Sequence, residues 1–170
     1  MPRQEELMSI QYSEFKTADL YDAFGDDLQV CEPVFTHYGG YGKFCGPIET
    51  IKCFEDNSLV GEMVSREGKD RVLVVDAGGS KRCAMLGDRL AQKAVDNGWA
   101  GILMFGCIRD AEDIATMPIG VCAMATIPRK SIKKGFGEVG LAVVFAGVTF
   151  QSGAWLYADR DGVVVADRQL

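Results

Sequence analysis

One segment restricts the fold more than any other. Arg71 to Asp76 (RVLVVD) is an unbroken, mostly β-branched run. It leads through Ala77-Gly78-Gly79-Ser80 to a stretch with helical spacing, Asp88 to Asn97 (DRLAQKAVDN), and then to a second apolar run, Gly101 to Ile108 (GILMFGCI). Alternation would suit a strand with one wet face, whereas a continuous run suits a strand buried on both. The helical stretch is amphipathic and Gly98 closes it. Strand, glycine loop, helix, strand is a βαβ unit, so the two strands are predicted parallel with a right-handed crossover.

The flanking sequence fills out a mixed α/β domain. Thr17 to Phe24 reads as a short helix with Thr17 as N-cap and Gly25 as stop. Gly39-Gly40-Tyr41-Gly42 is a turn, and Ile48 to Phe54 alternates like a half-buried strand. Asp56-Asn57-Ser58 offers capping oxygens for a helix to about Arg66. Ile119 to Ile127 and Leu141 to Phe150 read as strands, and Trp155 to Ala166 as a hairpin turning near Arg160-Asp161-Gly162. The expectation is one domain over residues 1–170, with a mixed central sheet or small barrel rather than a regular doubly wound fold.

Charge and residue counts exclude several functions. A net charge of −6 disfavours direct nucleic-acid binding, which needs a basic face. The one compact basic stretch, Arg129 to Lys134, reads as a solvated loop. No apolar run is long enough to span a membrane, and Met1 to Ile10 is acidic where a signal peptide would be apolar, so a cytoplasmic protein is expected. The six cysteines show no CxxC spacing and read as buried free thiols. His37 is the only histidine, which removes a Ser-His-Asp triad and any multi-histidine zinc site, and it reads as a loop or interface residue. Trp99 and Trp155 read as packing anchors. The Gly78-Gly79 region lacks both the GxGxxG fingerprint and the P-loop Gly-Lys-Ser/Thr, so nucleotide and S-adenosylmethionine sites have weak support.

What chemistry remains must come from carboxylates, arginine, backbone and water. In α/β sheets, ligands settle beyond the carboxyl ends of parallel strands. Two features meet there: the start of the Asp88 helix, whose free N–H groups favour an anion, and Arg109-Asp110 at the end of the neighbouring strand. An arginine clamps a carboxylate through paired hydrogen bonds, and an aspartate offers a hard oxygen to Mg²⁺ or Mn²⁺. Such a cation beside an arginine would polarise the 2-oxo group of an α-keto acid and stabilise its enolate. On spacing alone, Asp88 also reads as a plain helix cap and Arg109-Asp110 as an exposed charge pair. Glu112 and Asp113 read as capping or solvating the next segment.

Over nearly its full length the chain resembles one family. It contains the regulator of ribonuclease activity A and the class II 4-hydroxy-4-methyl-2-oxoglutarate and 4-carboxy-4-hydroxy-2-oxoadipate aldolases. The matching segments are Val30-Cys-Glu-Pro33, Phe54-Glu-Asp-Asn57, Arg71 to Asp76 with Gly78-Gly79-Ser80, Asn97-Gly-Trp99, Gly106 to Asp110, and Trp155 to Asp159 with Asp161-Gly162. The family's aldolases are marked by an aspartate, twenty intervening residues, then Arg-Asp, a spacing that Asp88 and Arg109-Asp110 meet.

The resemblance implies an α/β/α sandwich with a swivelling β/β/α arrangement, assembled as a homotrimer or a pair of trimers with sites between subunits. It also implies that Asp110 ligates a divalent cation and that Arg109 binds the pyruvyl portion of a small 2-oxo acid. Gly87-Asp88-Arg89-Leu90 would bind substrate, with Asp88 positioning a metal-bound water for proton transfer. The implied activity is retro-aldol cleavage to pyruvate, with oxaloacetate decarboxylation alongside. The other activity the family implies is a regulator that binds and inhibits an RNA-degrading endonuclease. The chain ends at Leu170, before the C-terminal segment by which the aldolases supply an acidic group to a neighbouring site, so that group is expected to be missing.

Overall fold

A computed structural model describes residues 14–170. The acidic stretch Met1 to Ile10 lies outside them. The chain runs α1 (Thr17–Phe24), β1 (Gln29–Val30), β2 (Thr36–His37), β3 (Phe44–Lys52), α2 (Ser58–Val64), β4 (Val72–Asp76), β5 (Ala84–Leu86) and α3 (Asp88–Asp96). It continues through β6 (Gly101–Ile108), α4 (Ala111–Ile114), β7 (Gly120–Thr126), β8 (Glu138–Val139), β9 (Val143–Phe145), β10 (Val148–Phe150), β11 (Trp155–Asp159) and β12 (Gly162–Ala166).

The large sheet is mixed, in the order β1-β12-β11-β3-β4-β6-β7-β2. Its joint is β3. The first residues of this strand pair antiparallel with β11, and Ile48 to Lys52 pair parallel with β4. The expected parallel pairing of β4 with β6 is present, from Val72 opposite Gly101 to Asp76 opposite Phe105. Its two edges, β1 and β2, are joined by residues 31–35 alone, so the sheet curls until they face one another across a seam.

Burial on both faces explains the continuous apolar strands. Leu73, Val75, Ile102 and Met104 pack against α2 and α3 through Val60, Met63, Ala91 and Ala94. The alternate residues Val72, Val74 and Leu103 pack against Phe145, Phe150, Leu156, Val163 and Val165 of the second β layer. That layer carries α1 on its outer side, through Leu28, Tyr157 and Val164 with Leu20 and Phe24. One face of the parallel strands therefore meets helices and the other meets strands. Where β6 and β7 lie side by side, the ring of Phe44 covers two paired glycines, Gly101 and Gly120. A Cβ at either would lie 2.0–2.3 Å from that ring.

Two expectations are corrected. Leu141 to Phe150 is not one strand: Ala146 and Gly147, with φ of 50° and 73°, fold it into the hairpin β9–β10. Thr17 is the first residue of α1 rather than its cap, and its hydroxyl and N–H donate to the Asp159 carboxylate at 2.6 and 2.7 Å. Between the glycine loop and α3, in a segment given no expected structure, Ala84 to Leu86 form β5 beside the last residues of β6.

Candidate functional site

β5 decides where α3 begins. β4 ends opposite Phe105, the chain loops out through the glycines, and β5 resumes the ladder opposite Cys107 and Ile108. The carboxyl ends of β5, β6 and β7 thus lie together, and each delivers residues to one place. Gly87 and Asp88 follow β5, Arg109 and Asp110 follow β6, and Thr126 to Pro128 lie at the end of β7.

The contacts among these residues are direct. The N–H of Asp88 donates to Oδ2 of Asp110 at 3.0 Å. An N–H at the first turn of a nine-residue helix carries the positive end of the dipole, so a carboxylate there is favoured. Asp88 turns its own Oδ1 to the N–H of Arg89 at 2.8 Å. Arg109 is held by its backbone N–H to the Leu86 carbonyl at 2.9 Å and by Nη1 to the Pro128 carbonyl at 3.4 Å. Its Nε lies 3.9 Å from Oδ2 of Asp110, a half-exposed pair that water screens, so its value is in placement more than stability.

Two backbone features make this approach possible. Asp110 adopts a left-handed conformation, φ 58° and ψ 39°, which aspartate tolerates better than most residues. Gly87 has no side chain to obstruct it: a Cβ would lie 2.8 Å from Oδ2 of Asp110 and 3.4 Å from Nε of Arg109. Beside them is an open pocket of about 330 Å³ lined by Arg109, Asp110, Ala111, Thr126, Ile127 and Pro128. Arg89 is exposed, while Leu90 packs toward Gly61 of α2 and the helix-covered core. Glu112 and Asp113 lie in the first turn of α4, exposed.

A divalent cation fits this donor set in one way. Oδ2 of Asp110, a residue that lines the pocket, is engaged by the Asp88 N–H, which leaves Oδ1 as the hard oxygen it can offer. Among the described residues no three His, Cys, Asp or Glu side chains cluster as a metal cage. Mg²⁺ retains several waters and is commonly held by one or two carboxylates with substrate oxygens, so a single aspartate suits it better than zinc or calcium.

The wall formed by Thr126, Ile127 and Pro128 was not foreseen, because it contributes backbone and apolar surface rather than reactive groups. Its continuation is tied down by Asp56, a buried carboxylate that accepts from the N–H and hydroxyl of Ser58 and from the N–H groups of Lys134 and Phe136. Burial alone would raise the Asp56 carboxyl, but these hydrogen bonds outweigh it and hold it at about 2. The apolar run Cys83-Ala-Met-Leu86 just before Gly87 was the available sequence signal for β5.

A larger cavity, about 630 Å³, lies elsewhere, at the seam between the sheet's edges, and none of the expected site residues lines it. His37 and Cys122 do. The His37 Nε2 meets the Asp159 carbonyl at 2.6 Å, which places the proton on that nitrogen and leaves Nδ1 to face the Cys122 sulfur at 3.4 Å. Burial pushes the Cys122 thiol up to about 12, so it keeps its proton and is no nucleophile.

Comparison with known proteins gives the family. The chain is 56% identical over 153 residues to a protein of Laribacter hongkongensis provisionally named 4-hydroxy-4-methyl-2-oxoglutarate aldolase, a match covering 90% of this chain and 96% of that one. A relative of the same provisional name from Aromatoleum aromaticum is 54% identical, covering 92% and 99%. Among solved structures, one from Geobacillus kaustophilus described as an S-adenosylmethionine:2-dimethylmenaquinone methyltransferase is 53% identical with a TM-score of 0.90, covering 92% of this chain and 97% of that one. The RNA-processing inhibitor RraA from Thermus thermophilus is 40% identical, also with a TM-score of 0.90, covering 92% and 95%. The RraA-like family model, described as Aldolase/RraA, matches residues 17–165, and the chain belongs to that family.

Proposed function

We propose that the protein is a divalent-metal-dependent pyruvate lyase that cleaves 4-hydroxy-4-methyl-2-oxoglutarate by a retro-aldol reaction. The observation that carries the reading is the convergence of Asp88, Arg109 and Asp110, with the Asp88 N–H on Oδ2 of Asp110 at 3.0 Å. In the reaction the 4-hydroxyl loses its proton, the bond between C3 and C4 breaks, and the C1–C3 fragment departs as the enolate of pyruvate. Protonation at C3 then gives a second pyruvate. The Arg109 guanidinium, anchored at Pro128, binds the carboxylate of the pyruvyl portion and fixes its plane. Gly87 to Leu90 bring the positive end of the α3 dipole to the same anionic group, the N–H groups of Asp88 and Arg89 being themselves taken by the Asp110 and Asp88 carboxylates. Asp88 holds the proton in transit between hydroxyl and enolate carbon through a water. A Mg²⁺ or Mn²⁺ ion, held by Asp110, supplies positive charge where the enolate oxygen becomes negative. Oxaloacetate loses carbon dioxide through the same enolate, so decarboxylation accompanies the aldol activity.

The test is pyruvate release from both substrates with added Mg²⁺ or Mn²⁺. Chelation and Asp110→Ala should each lower the rate by on the order of 100-fold or more. A rate unchanged by both would overturn the metal role.

The likeness to the RNA-processing inhibitor favours a second reading, a regulator that binds an RNA-degrading endonuclease. In a pull-down, a regulator would retain that endonuclease after Asp110→Ala. We take the assembly to be a cytoplasmic homotrimer or a pair of trimers, as the resemblance implies.

A further inference from the structure

We propose that the seam cavity is a second, non-catalytic binding site for a small organic ammonium ion. It is independent of the lyase reading and shares no residue with that site. The sheet's two edges leave about 630 Å³ between them, enough for a small organic molecule. Three aromatic rings line this space: Tyr21 from α1, Phe35 from the connection between the edges, and the imidazole of His37 from β2.

Two of the rings are fixed before any ligand arrives. Phe35 stands edge-on to Phe105 and Phe145, with centroids 6.5 and 6.0 Å away. His37 is edge-on to Phe44 at 6.2 Å and tethered to the Asp159 carbonyl. Tyr21 is 49% exposed and supplies the third ring from the outer side. Ring faces attract cations, and a cage of such faces is the usual means of holding an alkylated ammonium group.

The charges around the opening agree. Asp22, Glu32 and Asp161 line the cavity against a single cation, Arg160. Asp159 is already occupied by Thr17. Nothing in the cavity is poised to react, since His37 has partners on both ring nitrogens and Cys122 keeps its proton. The site therefore binds without transforming.

Calorimetric titration with choline, beside its neutral isostere 3,3-dimethyl-1-butanol, tests this. Saturable choline binding is expected, at least tenfold tighter than the isostere. Tyr21→Ala and Glu32→Gln, both at exposed positions that leave the core intact, should each weaken it at least tenfold. Asp110→Ala should leave it unchanged. Absence of saturable choline binding, equal binding of the isostere, wild-type affinity in both cage variants, or loss of binding in Asp110→Ala would each overturn the proposal. None of these outcomes bears on pyruvate release, so the two readings fail separately.

Discussion

Gly87 shows how narrow the tolerances are at a single residue. A methyl group there would meet Oδ2 of Asp110 at 2.8 Å and displace the carboxylate, the guanidinium or both. Gly87→Ala should therefore cut pyruvate release by roughly 100-fold while leaving the circular dichroism spectrum unchanged, since displacements of about 1 Å have that effect on positioned groups. Its φ of −128° is open to any residue, so the cause would be space and not backbone strain. The residues that met here were legible from spacing, because a helix start and a strand end in one βαβ unit must emerge on the same side of the sheet. Pro128 was not legible. It acts through a carbonyl, and every residue has one.

Among elements, the glycine pair beneath Phe44 and the loop tied by Asp56 carry measurable stability. Gly120→Ala would drive a Cβ into the Phe44 ring and should cost about 1–3 kcal/mol in denaturant unfolding, with partial recovery in the double variant Phe44→Leu/Gly120→Ala. Asp56→Asn should cost about 2 kcal/mol at neutral pH. Because folding lowers the Asp56 carboxyl to about 2, its contribution is present above the unfolded value near pH 4 and fades as pH falls toward 2. The gap between wild type and Asp56→Asn should accordingly close over that range in pH-dependent unfolding curves. β4, β6 and the β11–β12 hairpin were readable because apolar runs and turn residues agreed. β5 was hidden by its three-residue length, and β9–β10 by an apolar run that continues through its turn, where a positive φ at Ala146 gives no compositional signal.

For the whole molecule, the class of fold followed from one βαβ unit amid excess strands, while the curl of the sheet did not, since it depends on β3 serving two neighbours at once. Exposed Phe136, Val144, Leu141 and Val139 crowd the chain beyond β7. The trimer proposed above would need such a surface: light scattering should then give three times the chain mass, and Val144→Asp should shift it toward one. All six cysteines are buried, at 8% exposure or less. Burial pushes Cys31, Cys45, Cys53 and Cys122 up to about 12, and raises Cys83 and Cys107 as well. An alkylating reagent at mild alkaline pH should then modify the chain only as fast as it opens. Counting adducts by mass spectrometry would turn the six sulfurs into a record of which layer separates first and which holds to the end.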